Sequence, residues 1–374
     1  MEEMFVRLFC VLCCIAVTQQ RRAAFVPRQM ELQSGPECSV HPCGPGECRP
    51  YTIWTSNDLD RVPRNVTHAH LDFSADHRVP FVRGTIPEEL GGRDLVYLLM
   101  SVRYAPSRRI PPGLFVNLVG LRSLQLYHNA PDSERFSLRL SGGAFEGLSE
   151  VVELLLTQLG IEELPAGVFS SLLSICRLDL SQNRLDAIRA EVFRPPPVSA
   201  PGDGSTVNCC CSNLTTLLLS RNRFFNVADI HASGLTSLKI VDLSENVIAS
   251  LRRDSFGGRS DSSESAGGFT EVERLNLAVN AIRHIEDEAF ELLVRLRVLY
   301  LDSNAISNVT ASTFVGLPAL QILDLSDNLL SEIPSGVFTP LTSLRNLYLA
   351  ENAINTIQTG IKHSTGTSAV KRRA

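Results

Sequence analysis

Three side chains that could ligate a metal or relay a proton stand at alternate positions, His68, His70 and Asp72, separated by Ala69 and Leu71. A strand turns successive side chains to opposite faces, so these three would share one side. Upstream, Cys38, His41, Cys43 and Cys48 form a second group of ligating types, but their spacing fits no usual zinc finger. Catalysis needs further groups, and the chain has no His-Glu-x-x-His, no Gly-x-Ser-x-Gly, no phosphate loop and no dinucleotide glycine motif. Gly202-Asp-Gly-Ser205 is a turn within a proline-rich stretch. Enzymatic activity is therefore rejected, no cofactor or metal is expected, and the histidines read as part of a solvated sheet face.

The elements that would position such a face are written as a repeat. Leu-x-x-Leu-x-Leu-x-x-Asn units start at Leu121, Val151, Ile175, Leu214, Leu238, Val272, Leu296, Leu320 and Leu344. Their marker asparagines are Asn129, Asn183, Asn222, Asn246, Asn280, Asn304, Asn328 and Asn352, the last four at a strict 24-residue period. This predicts an α/β leucine-rich-repeat solenoid, a curved horseshoe with a parallel sheet on its concave face and an irregular or short-helical convex side. In the unit at Leu320, Leu323 and Leu325 point inward while Ile322, Asp324 and Ser326 face out. Asn328 satisfies backbone groups left unpaired at the turn, Leu330 and Ile333 return to the core, and Phe338 fills its convex side.

A second row checks the first. Phe193, Phe256, Phe290, Phe314 and Phe338 each lie ten residues after their asparagine, as Phe169 does after Leu159 in an asparagine slot. Against this ruler, six residues are added between Asn129 and Phe145, fifteen between Phe193 and Asn222, and ten between Phe256 and Asn280. These polar, breaker-rich stretches are loops that a solenoid tolerates on its outside. After Asn222 the phenylalanine slot holds Ala232, so Ile230 is expected to substitute in a locally thinner turn.

The organisation follows: 1–24 signal peptide, 25–60 cysteine-containing cap region, 61–357 repeats with loop insertions 194–213 and 257–269, and 358–374 polar tail. The ten-residue apolar run Leu8 to Val17 suits a secretory signal and is too short to span a bilayer. Its removal takes away Cys10, Cys13 and Cys14. Cys38, Cys43, Cys48, Cys176, Cys209, Cys210 and Cys211 remain as disulfide candidates, in an extracellular setting. Asn65, Asn213 and Asn308 head glycosylation sequons. No apolar run of eighteen follows the repeats, so no membrane span is expected in this chain. A net charge of −5 without a basic stripe argues against nucleic acid as partner.

The expected partner is a protein ligand or co-receptor on the concave face, whose outward positions include Tyr127, Leu155, Leu218, Ile240, Tyr300, Ile322 and Tyr348. Asp179, Asp242, Asp302 and Asp324 are read with them as an acidic row. The alternative for the aspartates is generic solvation, since Asp in Leu-Asp-Leu-Ser is common in such repeats. Lys362 stands in the last phenylalanine slot, so the edge after Leu344–Leu349 is expected to be uncapped, through truncation or because a partner chain dimerises there.

From Val62 to Asn352 the chain resembles the N-terminal ectodomain of the long-form invertebrate Toll receptors, the 18-wheeler group. The likeness rests on Val62-Pro-Arg-Asn-Val-Thr-His-Ala-His-Leu-Asp-Phe73, on Leu121-Arg-Ser-Leu-Gln-Leu-Tyr-His-Asn129 followed by Asp132 and Ser137-Leu138, and on the insertion between Phe193 and Leu214. The chain departs from the family's cysteines at Ala75, Ala105 and Ser170. A bridge from Cys176 to the Cys209–Cys211 triplet is one expectation, and a partly buried thiol at Cys176 the other. The resemblance implies recognition of a protein ligand in immune or developmental signalling at the cell surface, in receptors that continue into further repeats, a cysteine cap, a membrane span and a signalling domain. A complete secreted repeat protein, acting in adhesion or matrix or as a decoy, is the alternative.

Overall fold

The computed structural model describes residues 53–54, 67–71, 95–102, 108–128, 136–194, 211–232, 234–257 and 268–357, all within one unit, Val40–Ala374. Their strands, in chain order, are β1 (Ile53–Trp54), β2 (His68–Leu71), β3 (Tyr97–Ser101), β4 (Arg109–Ile110), β5 (Ser123–Tyr127), β6 (Arg139–Leu140), β7 (Glu153–Leu155), β8 (Arg177–Asp179), β9 (Thr216–Leu218), β10 (Ile240–Asp242), β11 (Ser250–Leu251), β12 (Arg274–Asn276), β13 (His284–Ile285), β14 (Val298–Tyr300), β15 (Ile322–Asp324), β16 (Glu332–Ile333), β17 (Asn346–Tyr348) and β18 (Thr356–Ile357). Twelve of them make one all-parallel sheet in the order β1-β2-β3-β5-β7-β8-β9-β10-β12-β14-β15-β17. The short pairs β4·β6, β11·β13 and β16·β18 run along the outer arc, also parallel. Strand-to-next-strand order without a crossover within the sheet is the mark of a solenoid, in which each turn packs only on its neighbours.

Register follows the leucines. Leu98, Leu124, Leu154, Leu178, Leu217, Val241, Leu275, Leu299, Leu323 and Leu347 face one another across successive strands. All but Leu347 are buried, as are Leu325, Leu330 and Ile333 of the unit at Leu320. At the C-terminal edge Leu344, Leu347 and Leu349 are only half-buried.

The asparagines tie each turn to the one before. Asn328 accepts the Ile306 N–H at 3.0 Å through Oδ1 and donates through Nδ2 to the carbonyls of Leu301 at 2.9 Å and Leu325 at 3.1 Å. Asn183, Asn222, Asn246, Asn280, Asn304 and Asn352 repeat the pattern. Asn129 lies outside the described residues. Each described marker, and Leu159 in its slot, is preceded by a residue in the left-handed region at φ 53–59°: Gln158, Gln182, Arg221, Glu245, Val279, Ser303, Asp327 and Glu351. For β-branched Val279 that conformation is strained.

The convex side is built of turns, with two 3-10 turns at Ala190–Phe193 and Val227–Asp229 and no α-helix among the described residues. Phenylalanine rings stack along it at 5.8–6.2 Å, first Phe115, Phe145, Phe169 and Phe193, then Phe256, Phe290, Phe314 and Phe338. The terminal rung, Phe338, is half-buried rather than fully enclosed. Between the two stacks the row is interrupted at Ala232, where Ile230 and Phe224 are buried instead. The turn is thin enough there for Gly268 to sit against it. An added Cβ on Gly268 would lie 2.3 Å from the Ala232 carbonyl oxygen.

Cys211 occupies the convex slot that Leu148, Leu172, Leu235, Leu293, Leu317 and Leu341 fill in other turns, three residues before the first leucine of the unit. It is buried, and its thiol donates to the Phe169 carbonyl at 3.7 Å. The expected bridge from Cys176 is therefore not made through Cys211, which packs as a small apolar side chain. Cys38, Cys43, Cys48, Cys209, Cys210, Asn65 and Asp72 lie outside the described residues, as do the stretches expected to be a signal peptide and a polar tail.

Candidate binding face

Alternation on the sheet leaves three outward rows. The first runs Tyr97, Ser123, Glu153, Arg177, Thr216, Ile240, Arg274, Val298, Ile322, Asn346. The second runs Leu99, Gln125, Leu155, Asp179, Leu218, Asp242, Asn276, Tyr300, Asp324, Tyr348. The third lies two residues further on each strand and holds Tyr127, Ser244, Asp302 and Ser326. Side chains on the inside of a curved sheet converge, so most of these positions are half-buried.

That convergence corrects one expectation outright. Leu218, read as outward and accessible, is only 6% exposed, and Thr216 beside it is equally covered. Their neighbours in register are Arg177 and Ile240 in the first row and Asp179 and Asp242 in the second, which flank them on both sides.

The aspartate row is also corrected. Asp179, Asp242 and Asp324 share the second row, but its place on β14 is held by Tyr300, and Asp302 stands in the third. The three that align do structural work. Each accepts, through Oδ1, the backbone N–H two residues on: Ser181 at 2.9 Å, Ser244 at 3.0 Å and Ser326 at 3.0 Å. Asn276 does the same for Ala278 at 3.0 Å, without a charge. Asp242 also takes the Ser244 hydroxyl at 2.7 Å. Burial pushes the Asp242 carboxyl above the usual carboxylate range against these hydrogen bonds, with Asp179 and Glu245 adding to the rise.

The histidines are absorbed by tyrosines at the N-terminal end. His70 Nε2 lies 2.7 Å from the Tyr127 hydroxyl, and the His68 ring stacks on Tyr97 at 5.9 Å. Tyr97 in turn donates to Gln125 Oε1 at 2.8 Å. Burial lowers the pKa of His68, which favours the neutral ring. Tyr127 is thus engaged within its own sheet. Sequence reasoning missed this network because its members lie up to 57 residues apart. In the middle of the face, Arg177 pairs with Glu153 at 3.2 Å, and Glu153 also accepts the Ser123 hydroxyl at 3.1 Å.

Towards the C-terminal end the face changes character. Val298, Tyr300, Ile322, Asp324 and Tyr348 lie on the adjacent strands β14, β15 and β17, all partly exposed, with Tyr300 and Tyr348 flanking Asp324 in register. Asn346 donates to the Tyr348 hydroxyl at 3.2 Å. Ile240 stands apart, beside covered Thr216.

A parallel sheet of stacked Leu-x-x-Leu-x-Leu-x-x-Asn turns presenting one such face defines a leucine-rich-repeat solenoid. The family model described as leucine rich repeat matches residues 212–264, 259–306 and 294–354. A structure of the Drosophila Toll–Spatzle complex is similar, with a TM-score of 0.59 and 19% identity over 82% of this chain and 41% of that one. A TLR13–ssRNA13 complex matches with a TM-score of 0.55 and 18% identity over 81% of this chain and 45% of that one. An octameric complex of Latrophilin 3, Unc5D and the leucine-rich-repeat part of FLRT2 matches with a TM-score of 0.51 and 20% identity, over 78% and 77%. At such identities the likeness is one of fold. The chain spans less than half the length of the Toll and TLR13 chains that it matches. No curated protein sequence matches it. Because one solenoid shape occurs in complexes with protein and with single-stranded RNA, the expectation that excludes nucleic acid draws no support from the fold.

Proposed function

We propose that this chain is an extracellular ligand-recognition segment of a Toll-like receptor of the long-form invertebrate kind, and that it takes a protein ligand on its concave face. The observation that carries this reading is the C-terminal part of that face. Aromatic and aliphatic side chains, Tyr300, Ile322, Val298 and Tyr348, are presented there on an ordered sheet beside carboxylates, a composition suited to a protein interface. Exposed Asn213 and Asn308 are the proposed glycan sites among the described residues.

Sequencing of the messenger RNA downstream of the codon for Asn352 tests the reading. We expect further repeats in frame, then a membrane span and a cytoplasmic domain. A stop after Ala374, with the protein secreted intact, would overturn it in favour of a secreted adhesion or matrix protein.

A further inference from the structure

We propose that the strand-exit side of the concave face over β14, β15 and β17 docks a lysine- or arginine-bearing segment of a protein partner, its cations against Asp302 and Asp324 and its aliphatic stems on Tyr300 and Tyr348. This rests on the concave face being the binding face, and it adds the chemistry of what binds.

Charge is sorted across the width of the sheet. The edge where the strands begin carries Lys239, Arg297 and Arg345, with Arg297 paired to Glu273 at 3.5 Å. The first outward row adds Arg177 and Arg274. Where the strands leave the sheet, residues 300–304, 324–328 and 348–352 include Asp302, Asp324, Asp327 and Glu351 and no lysine or arginine. Asp327 and Glu351 are exposed. Complementarity to such a surface selects a cationic partner and disfavours a polyanion.

The fold does not demand the charge at Asp324. At the aspartate position of the second row, neutral Asn276 accepts the N–H two residues on with the same 3.0 Å bond that Asp324 makes. Tyr300 and Tyr348 occupy that position on the flanking strands, so the acceptor itself is dispensable. The negative charge of Asp324 is therefore not what the turn requires. It lies between two tyrosines, whose ring faces attract cations and whose flat surfaces accept the methylene stem of lysine or arginine.

The test uses the full chain with a fluorescein-labelled hexa-arginine peptide, a hexaglutamate peptide and a short oligouridine, read by fluorescence anisotropy at two salt concentrations. The hexa-arginine probe should bind, more weakly at higher salt, and the double variant Asp302→Asn with Asp324→Asn should lose about tenfold in affinity, the scale of two exposed ion pairs. Tyr300→Ala with Tyr348→Ala should weaken it as well. Asp186→Asn with Asp254→Asn removes the same charge from exposed sites off this face and should leave affinity unchanged. Thermal melting checks that every variant is folded. Equal losses in the two double-asparagine variants, no loss in either, or tighter binding of oligouridine or hexaglutamate would overturn the proposal. The transcript decides the receptor reading separately, so a receptor that fails this test, or a secreted protein that passes it, separates the two.

Discussion

At the scale of single residues, Asp242 shows how one side chain holds a turn together at an electrostatic cost. Its Oδ1 takes both the N–H and the hydroxyl of Ser244, yet burial raises its pKa above the ordinary 3.8. The folded state therefore binds the proton more tightly than the unfolded chain does. The stability this contributes is fully present below pH 3.8 and is lost as pH rises through the folded value. Asp242→Asn keeps an acceptor, as Asn276 demonstrates, and removes the buried charge. It should match the parent protein in urea unfolding below pH 3.8 and be the more stable at pH 7. A parent protein that is the more stable at pH 7 would show that the charge is compensated in place.

At the scale of elements, the convex spine shows what a missing ring does to the next turn. Phe193 and Phe256 each end a stack, and the turn between them closes on Ile230 and Ala232 with Gly268 pressed against it. Phe269 then packs edge-on to Phe256 at 5.6 Å, filling a slot that leucine fills elsewhere. Gly268→Ala would place a methyl 2.3 Å from a backbone oxygen, so it should lower stability by about 1–3 kcal/mol, the usual cost of overpacking. Gly142→Ala, whose added Cβ would meet nothing nearer than 3.5 Å, is the control and should change the melting temperature little. Equal melting of the two would mean that the thin turn yields. Rings two stacking distances from the gap carry the full packing cost: Phe290→Ala should destabilise by about 3–5 kcal/mol, read from the urea midpoint.

At the scale of the whole solenoid, stability is a sum over turns and the contacts between neighbours, so the two sides of the sheet are not equally guarded. Leu299 and Leu323 are fully enclosed by turns on both sides, whereas Leu347 and Leu349 on the β17 turn are only half-buried. Hydrogen exchange followed by mass spectrometry should find the amides of β10 to β15 the slowest and those of β17 markedly faster. Uniform protection along the sheet would mean that the described turns unfold as one unit. The docking proposed at β14, β15 and β17 lies beside this less guarded edge, so a bound basic segment should slow exchange there first.

The repeat, its parallel sheet, the inward leucines and the roles of the asparagine and phenylalanine rows were legible in the sequence, because each is local and recurs at a fixed spacing. A strand of period two and a turn closed by one asparagine need no knowledge of the rest of the chain. What tertiary structure decided is which outward residues remain open. Curvature brings the outer rows of neighbouring strands together, so Leu218 disappears, Tyr127 is taken by His70 from 57 residues away, and the aspartates turn onto their own backbone. Asp302 stands outside the row, because Tyr300 holds the matching position on β14, as the 24-residue period from Asp324 already implied. Cys211, grouped by sequence with two other cysteines as a bridging candidate, is a core side chain because its distance from Leu214 puts it in a leucine slot. Spacing along the chain determined the solenoid, and only the stacking of its turns determined the face it offers a partner.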